Sequence, residues 1–142
     1  MEKKIQSCNY CEKGENLNSV MFKITELPYS IVYLNRNQQH RGRCIVAYKQ
    51  HQTEYFHLNA EENAGFFADV SRTAQALYNL FHPGKINYAT FGDLAPHVHI
   101  HIVPKYEGEV QWGTPFQDEP KRFLTDSEYQ ELIGQIKAEI DK

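Results

Sequence analysis

The sequence predicts an α+β fold: a five-stranded antiparallel sheet with one long helix and a C-terminal helix. Three observations predict it. Short β-branched segments recur early in the chain, separated by turn residues. One long stretch with apolar residues at helical spacing divides them from two later strands. A capping signature then opens a second helical stretch near the end. Strands, helix, strands and helix in that order fit an antiparallel sheet with its helices on one face.

Residues 14–19 (GENLNS) read as a turn-rich stretch. Strands are expected at Val20–Thr25, Ser30–Leu34 and Arg43–Tyr48. Pro28 precedes the second, and Asn35–Gly42 separates the second from the third. Asn59 is an N-cap with Glu62 three positions on, and Phe66, Phe67, Val70, Ala74, Leu77 and Phe81 recur at helical spacing. Pro83-Gly84 ends that helix. Two more strands are expected at Lys85–Phe91 and His97–Val103, with Gly92 and Pro96 bracketing the turn and Pro104 stopping the second. Residues 107–123 read as irregular, with Trp112, Pro115 and Phe116 as anchors. Thr125–Glu128 is a capping box that opens the last helix, about 126–140.

The 142 residues are read as a single domain spanning 1–142. A hydrophobic fraction of 41% and a charged fraction of 23% are those of a folded chain. A net charge of −3 without a dense Lys/Arg block argues against binding of nucleic-acid polymers. No apolar run reaches membrane-spanning length, so no membrane partner is expected. Lys3 and Lys4 are followed by no apolar stretch, which excludes a secretory leader in Met1–Tyr10. Three cysteines, Cys8, Cys11 and Cys44, are too few for a disulfide scaffold and point to a reducing, cytoplasmic setting.

The most informative segment is His97-Val98-His99-Ile100-His101-Ile102-Val103. Residues two apart in a strand share a face. Three imidazoles therefore line one face while Val98, Ile100 and Ile102 line the other. A strand with one apolar face needs only polarity on its opposite face, so three aligned imidazoles ask for chemistry. A single three-histidine metal site fits poorly, because His97 and His101 would lie about 13 Å apart along a strand rising about 3.3 Å per residue. Phosphoryl chemistry fits better: neutral imidazole is a nucleophile toward phosphorus, and a protonated imidazole stabilises phosphate oxygens.

Cys8 and Cys11 form C-x-x-C, which is half a zinc site or a redox pair. No helix is evident after the motif, so zinc leads. Tetrahedral zinc needs two further ligands, and the candidates are His40, His51, His57, His82 and His97. Cys44 reads as a small buried residue of the third strand.

The segment PHVHIHIVPK, Pro96 to Lys105, resembles the signature of the histidine-triad (HIT) superfamily. Leu34-Asn35-Arg36 ahead of Gly42, and Cys44–His51 after it, agree in spacing, so the resemblance spans roughly Cys8 to Lys105. It implies nucleotidyl hydrolase or transferase activity on dinucleoside polyphosphates or nucleoside phosphoramidates. By position, His99 would be the nucleophile, His101 would contact phosphate oxygens, and the backbone carbonyl of His97 would fix the tautomer of His99. Asn35 would contact ribose, and Asn87 would lie near the phosphate. The resemblance further implies a structural zinc on Cys8, Cys11, His51 and His97, and a homodimer with the long helix and a strand near its interface. Two departures stand out. The family's Gly-His is Gly42-Arg43 here, so Arg43 would either bring a permanent cation toward phosphate or point to solvent, with His40 nearby to substitute. The polar pair before the triad is Asp93-Leu94, and a carboxylate there opposes phosphate. A nucleotide sensor with little turnover, and a zinc-dependent hydrolase, are the competing readings.

Overall fold

Antiparallel pairing places the catalytic candidates on an interior strand of the sheet. The computed structural model describes residues 8–142; of the leader reading, positions 1–7 lie outside it. Strands β1 (Met21–Glu26), β2 (Ser30–Asn35), β3 (Cys44–Tyr48), β4 (Lys85–Ala89) and β5 (His99–Lys105) form one sheet in the order β1-β2-β3-β5-β4. Every neighbouring pair is antiparallel. β3 and β5 pair through Ala47↔His99 and Ile45↔His101, so the triad strand is an interior strand between the middle strand β3 and the edge strand β4.

Helix α3 (Ala60–Phe81) covers one face. Its Asn59 cap accepts from the Glu62 backbone N–H at 2.8 Å, and the Glu62 carboxylate accepts from the Asn59 N–H, closing a capping box. Phe66, Val70, Ala74 and Leu77 turn inward onto Val32, Val46, Ile100 and Ile102. Phe67 leaves that face: one residue past Phe66 is about 100° further round a helix, and Phe67 lies 44% exposed with its ring on Tyr55. Helix α4 (Asp126–Ile140) begins with the Thr125–Glu128 box and packs on α3 and β1 through Tyr129, Leu132, Ile136 and Ile140.

β2 and β3 are buried on both faces. The second face carries a smaller core of Tyr10, Leu17, Met21, Ile31, Tyr33, Ile45 and Ala47. Here the C-x-x-C segment, where no helix is evident in the sequence, carries the single-turn helix α1 (Asn9–Glu12), and residues 14–19, expected as turns, carry a second, α2 (Glu15–Asn18). Lys13, at φ 54, breaks the chain between them. Such short helices are unstable alone, and here the apolar contacts of Tyr10 and Leu17 with the sheet hold them.

Two strands differ from expectation by more than one residue. β4 stops at Ala89. β5 begins at His99 and runs through Pro104 to Lys105. Beyond Ile102, β5 pairs only with β4, through Ile86↔Pro104 and Lys85↔Lys105. A proline without an N–H is tolerated where a strand has a neighbour on one side only. His97 lies ahead of the ladder, in an irregular lead-in where the Val98 N–H donates to the Gln52 carbonyl at 2.7 Å.

Candidate active site

β5 brings His99 and His101 to one wall of a cavity of about 710 Å³, shared with Asn35, Arg43, Asp93 and Asp118. His99 is only 2% exposed, so the cavity is its route to a ligand. Its Nδ1 lies 2.6 Å from the His97 carbonyl oxygen. A carbonyl only accepts, so Nδ1 carries the proton and the neutral ring keeps its lone pair on Nε2. Burial pushes the His99 imidazolium down from its ordinary range, and the bond to the carbonyl partly opposes that. The Tyr10 ring packs on both His97 and His99, with centroids 5.2 Å away in each case.

His101 has a different partner. Its Nδ1 lies 3.3 Å from an Arg43 terminal nitrogen, and the other Arg43 terminal nitrogen lies 3.1 Å from the Asp118 carboxylate. Burial, with the Arg43 cation beside it, holds the His101 pKa at about 3. Phe91 and Phe116 pack on the same ring, at 5.7 and 6.1 Å between centroids. Arg43 follows Gly42, whose φ of 92 suits glycine. A Cβ there would lie 2.8 Å from the Phe81 ring.

Asn35 ends β2, half-buried. Its Oδ1 accepts from the Asn37 backbone N–H at 2.9 Å, which leaves its amide N–H groups to donate. Asn87 stands apart. It sits opposite Val103 and lines a neighbouring cavity of about 680 Å³ with Lys105 and Trp112. His40 is buried too, with Nε2 2.9 Å from Gln111 Oε1, and does not line the His99 cavity. Asp93 does line it, exposed to solvent on the 92–96 loop.

Cys8, Cys11, His51 and His97 converge, with their ligating atoms all within 4.8 Å of one another. The contacts are 3.4 Å for Cys8 Sγ–His97 Nδ1, 3.4 Å for Cys11 Sγ–His51 Nδ1, 3.8 Å for Cys11 Sγ–His97 Nδ1 and 3.3 Å for His97 Nδ1–His51 Nδ1. A tetrahedral ion with zinc–sulfur bonds of about 2.3 Å and zinc–nitrogen bonds of about 2.0–2.1 Å puts sulfur and nitrogen roughly 3.5 Å apart and two nitrogens roughly 3.3 Å apart. These four contacts match that spacing. The His97 Nε2–H donates to the Tyr48 carbonyl at 2.7 Å, which turns the Nδ1 lone pair toward the cluster. Burial lowers the His97 pKa to about 4, keeping the ring in the neutral form a ligand needs. No other group of three or more such side chains converges among the described residues. His99 and His101 thus lie outside the cluster, and one ion on all three histidines does not fit.

Reasoning from the sequence missed two residues of this site. Tyr10, between the cysteines, carried no signal beyond being aromatic. Asp118 lies in a segment without periodicity, and nothing local ties it to Arg43.

A model of the HIT domain matches residues 16–108. An uncharacterised HIT-like protein of Methanocaldococcus jannaschii is 28% identical over 108 residues, 72% of this chain and 81% of that protein. A histidine triad protein from Bradyrhizobium japonicum superposes with a TM-score of 0.81 at 22% identity, covering 89% of this chain and 96% of its own. A zinc-bound histidine triad family protein from Mycobacterium smegmatis has a TM-score of 0.66 at 22% identity, over 95% and 94%. The HIT-domain model covers the larger part of this sequence, and the chain belongs to the HIT-domain, histidine-triad family.

Proposed function

We propose that the chain is a nucleotidyl hydrolase or transferase that works through a covalent nucleotidyl–His99 intermediate, on dinucleoside polyphosphates, nucleoside phosphoramidates or compounds of that class. One observation carries this reading. The His99 Nδ1–H is held by the His97 carbonyl at 2.6 Å, so the Nε2 lone pair belongs to a ring that walls a cavity large enough for a nucleotide.

In the first step Nε2 attacks the α-phosphorus and a P–N bond forms. The bond from phosphorus to the leaving group breaks, and the leaving group departs with its electron pair. The His97 carbonyl stabilises the positive charge the ring gains. In the second step water attacks phosphorus, gives up a proton, and the P–N electron pair returns to Nε2. Nucleoside monophosphate is released; an acceptor other than water makes the reaction a transfer. His101 donates to a phosphate oxygen and the Asn35 amide to ribose. Arg43 supports the phosphate subsite, and Asn87, in the neighbouring cavity, makes no contact to the α-phosphate in this reading.

Cys8, Cys11, His51 and His97 would hold a structural zinc, since four protein ligands leave no open position. The ion would tie the N-terminal segment to the catalytic strand and fix His97, whose carbonyl orients His99. A homodimer belongs to the same reading. β4 is an edge strand, and α3 exposes Phe67 and Tyr78, which are a surface for a second copy.

His99→Asn, tested with a panel of nucleotide substrates, is expected to lose turnover while keeping nucleotide affinity. Wild-type rates in that variant would refute the mechanism. Tight reversible binding without turnover by the wild type would instead indicate a sensor.

A further inference from the structure

We propose that Arg43, anchored by Asp118, is a positioning residue that locks His101 in its Nε2–H tautomer, so that neighbouring triad rings carry opposite tautomers: an acceptor at His99 and a donor at His101.

Guanidinium has five N–H donors and no acceptor. The 3.3 Å contact between Arg43 and His101 Nδ1 therefore runs one way, with Arg43 donating. A neutral imidazole whose Nδ1 accepts carries its proton on Nε2. The His97 carbonyl imposes the reverse on His99, where Nδ1 donates. Two rings 5.3 Å apart on one strand face are thus given complementary roles by two different partners, one a backbone carbonyl and one a cation.

The geometry also bears on the expectation that Arg43 reaches phosphate directly. One terminal nitrogen faces Asp118 and the other faces His101. The guanidinium carbon lies 4.9 Å over the Phe116 ring. Arg43 is 4% exposed, and its Nε is buried without a hydrogen-bond partner among the described residues. A planar fork already engaged at both tips, with its charge offset by a carboxylate, acts on a ligand through the ring it holds. Asp118 is itself fixed, because the Asn37 side-chain amide donates to its backbone carbonyl at 2.8 Å. The irregular segment after β5 thereby closes onto the β2–β3 loop and completes the triad.

The tautomers are read directly by long-range proton–nitrogen NMR spectra of the full, metal-loaded chain, with the His101 signals assigned from their loss in His101→Asn. The wild type is expected to show His101 protonated at Nε2 only. Arg43→Met, and separately Asp118→Asn, are expected to draw the two His101 nitrogen shifts toward each other as both tautomers populate. A wild-type His101 protonated at Nδ1, or unchanged His101 shifts in the variants, overturns the proposal. If Arg43→Met fails to fold, the wild-type spectrum and Asp118→Asn decide, since the Asp118 side chain is 68% exposed.

A kinetic arm rests on the function proposed above. Arg43→Met should slow formation of the His99 adduct on the order of 10²-fold, as for loss of one preorganised donor. The double variant with His101→Asn should be no slower than His101→Asn alone, because the two residues act as one unit. Multiplying losses would mean that Arg43 acts on the ligand by itself, and would overturn the proposal. Absence of any adduct in the wild type would refute the nucleophile and leave the NMR result standing, so the two failures are distinguishable.

Discussion

His101 carries a measurable signature of its surroundings. Burial and the Arg43 cation hold its pKa at about 3, against about 6.5 for an unfolded histidine. Below the unfolded value the unfolded chain binds a proton that the folded chain refuses. Stability is therefore whole above about pH 6.5 and falls as the pH drops from there toward about 3. The slope approaches one proton, about 1.4 kcal/mol per pH unit. Between about pH 7 and about pH 5, denaturant unfolding of the wild type should lose ~2 kcal/mol more than His101→Asn does. Equal losses would mean that His101 titrates normally in the folded chain.

At the scale of elements, the two one-turn helices α1 and α2 depend on what holds them. The four-ligand cluster links Cys8 and Cys11 to His51, after β3, and to His97, before β5. Metal analysis of reduced protein should find about one zinc per chain. Chelation should speed hydrogen exchange first in residues 8–18 and beside His51 and His97, while the β2–β3–β5 ladder stays protected. Protein free of metal, or exchange unmoved by chelation, would remove the zinc. Gly42 governs a second junction. Gly42→Ala would force a positive φ on a side chain and drive its Cβ against Phe81 and Pro104. A loss of about 1–3 kcal/mol in unfolding free energy is expected, and stability at the wild-type level would show that the loop has another way to turn.

For the molecule as a whole, what the sequence disclosed depended on periodicity. The alternation His97-Val98-His99-Ile100-His101 revealed the triad strand, and the spacing from Phe66 to Leu77 revealed the helix behind it, because both patterns are local. The capping boxes at Asn59 and Thr125 marked their helices for the same reason. Pro104 misled because its tolerance depends on which neighbours β5 has, a property of the sheet and not of the segment. Asp118 and Tyr10 were illegible because the site residues they meet, Arg43 for Asp118 and His97 and His99 for Tyr10, lie 75 and 87 or more positions away in sequence, without any repeating pattern to join them. The edge strand β4 and the exposed rings on α3 lead to one further expectation. Sedimentation should find two chains per particle, and a single chain at high concentration would remove the dimer from this reading.

The central claim is that His99 Nε2 is free to bond to phosphorus. Intact-mass analysis of protein quenched soon after mixing with a panel of dinucleoside polyphosphates and nucleoside phosphoramidates tests it most directly. The account predicts a mass increase of one nucleotidyl group that maps to His99 and is absent from His99→Asn. Substrate turnover with no adduct at any quench time, or an adduct that persists in His99→Asn, would contradict it.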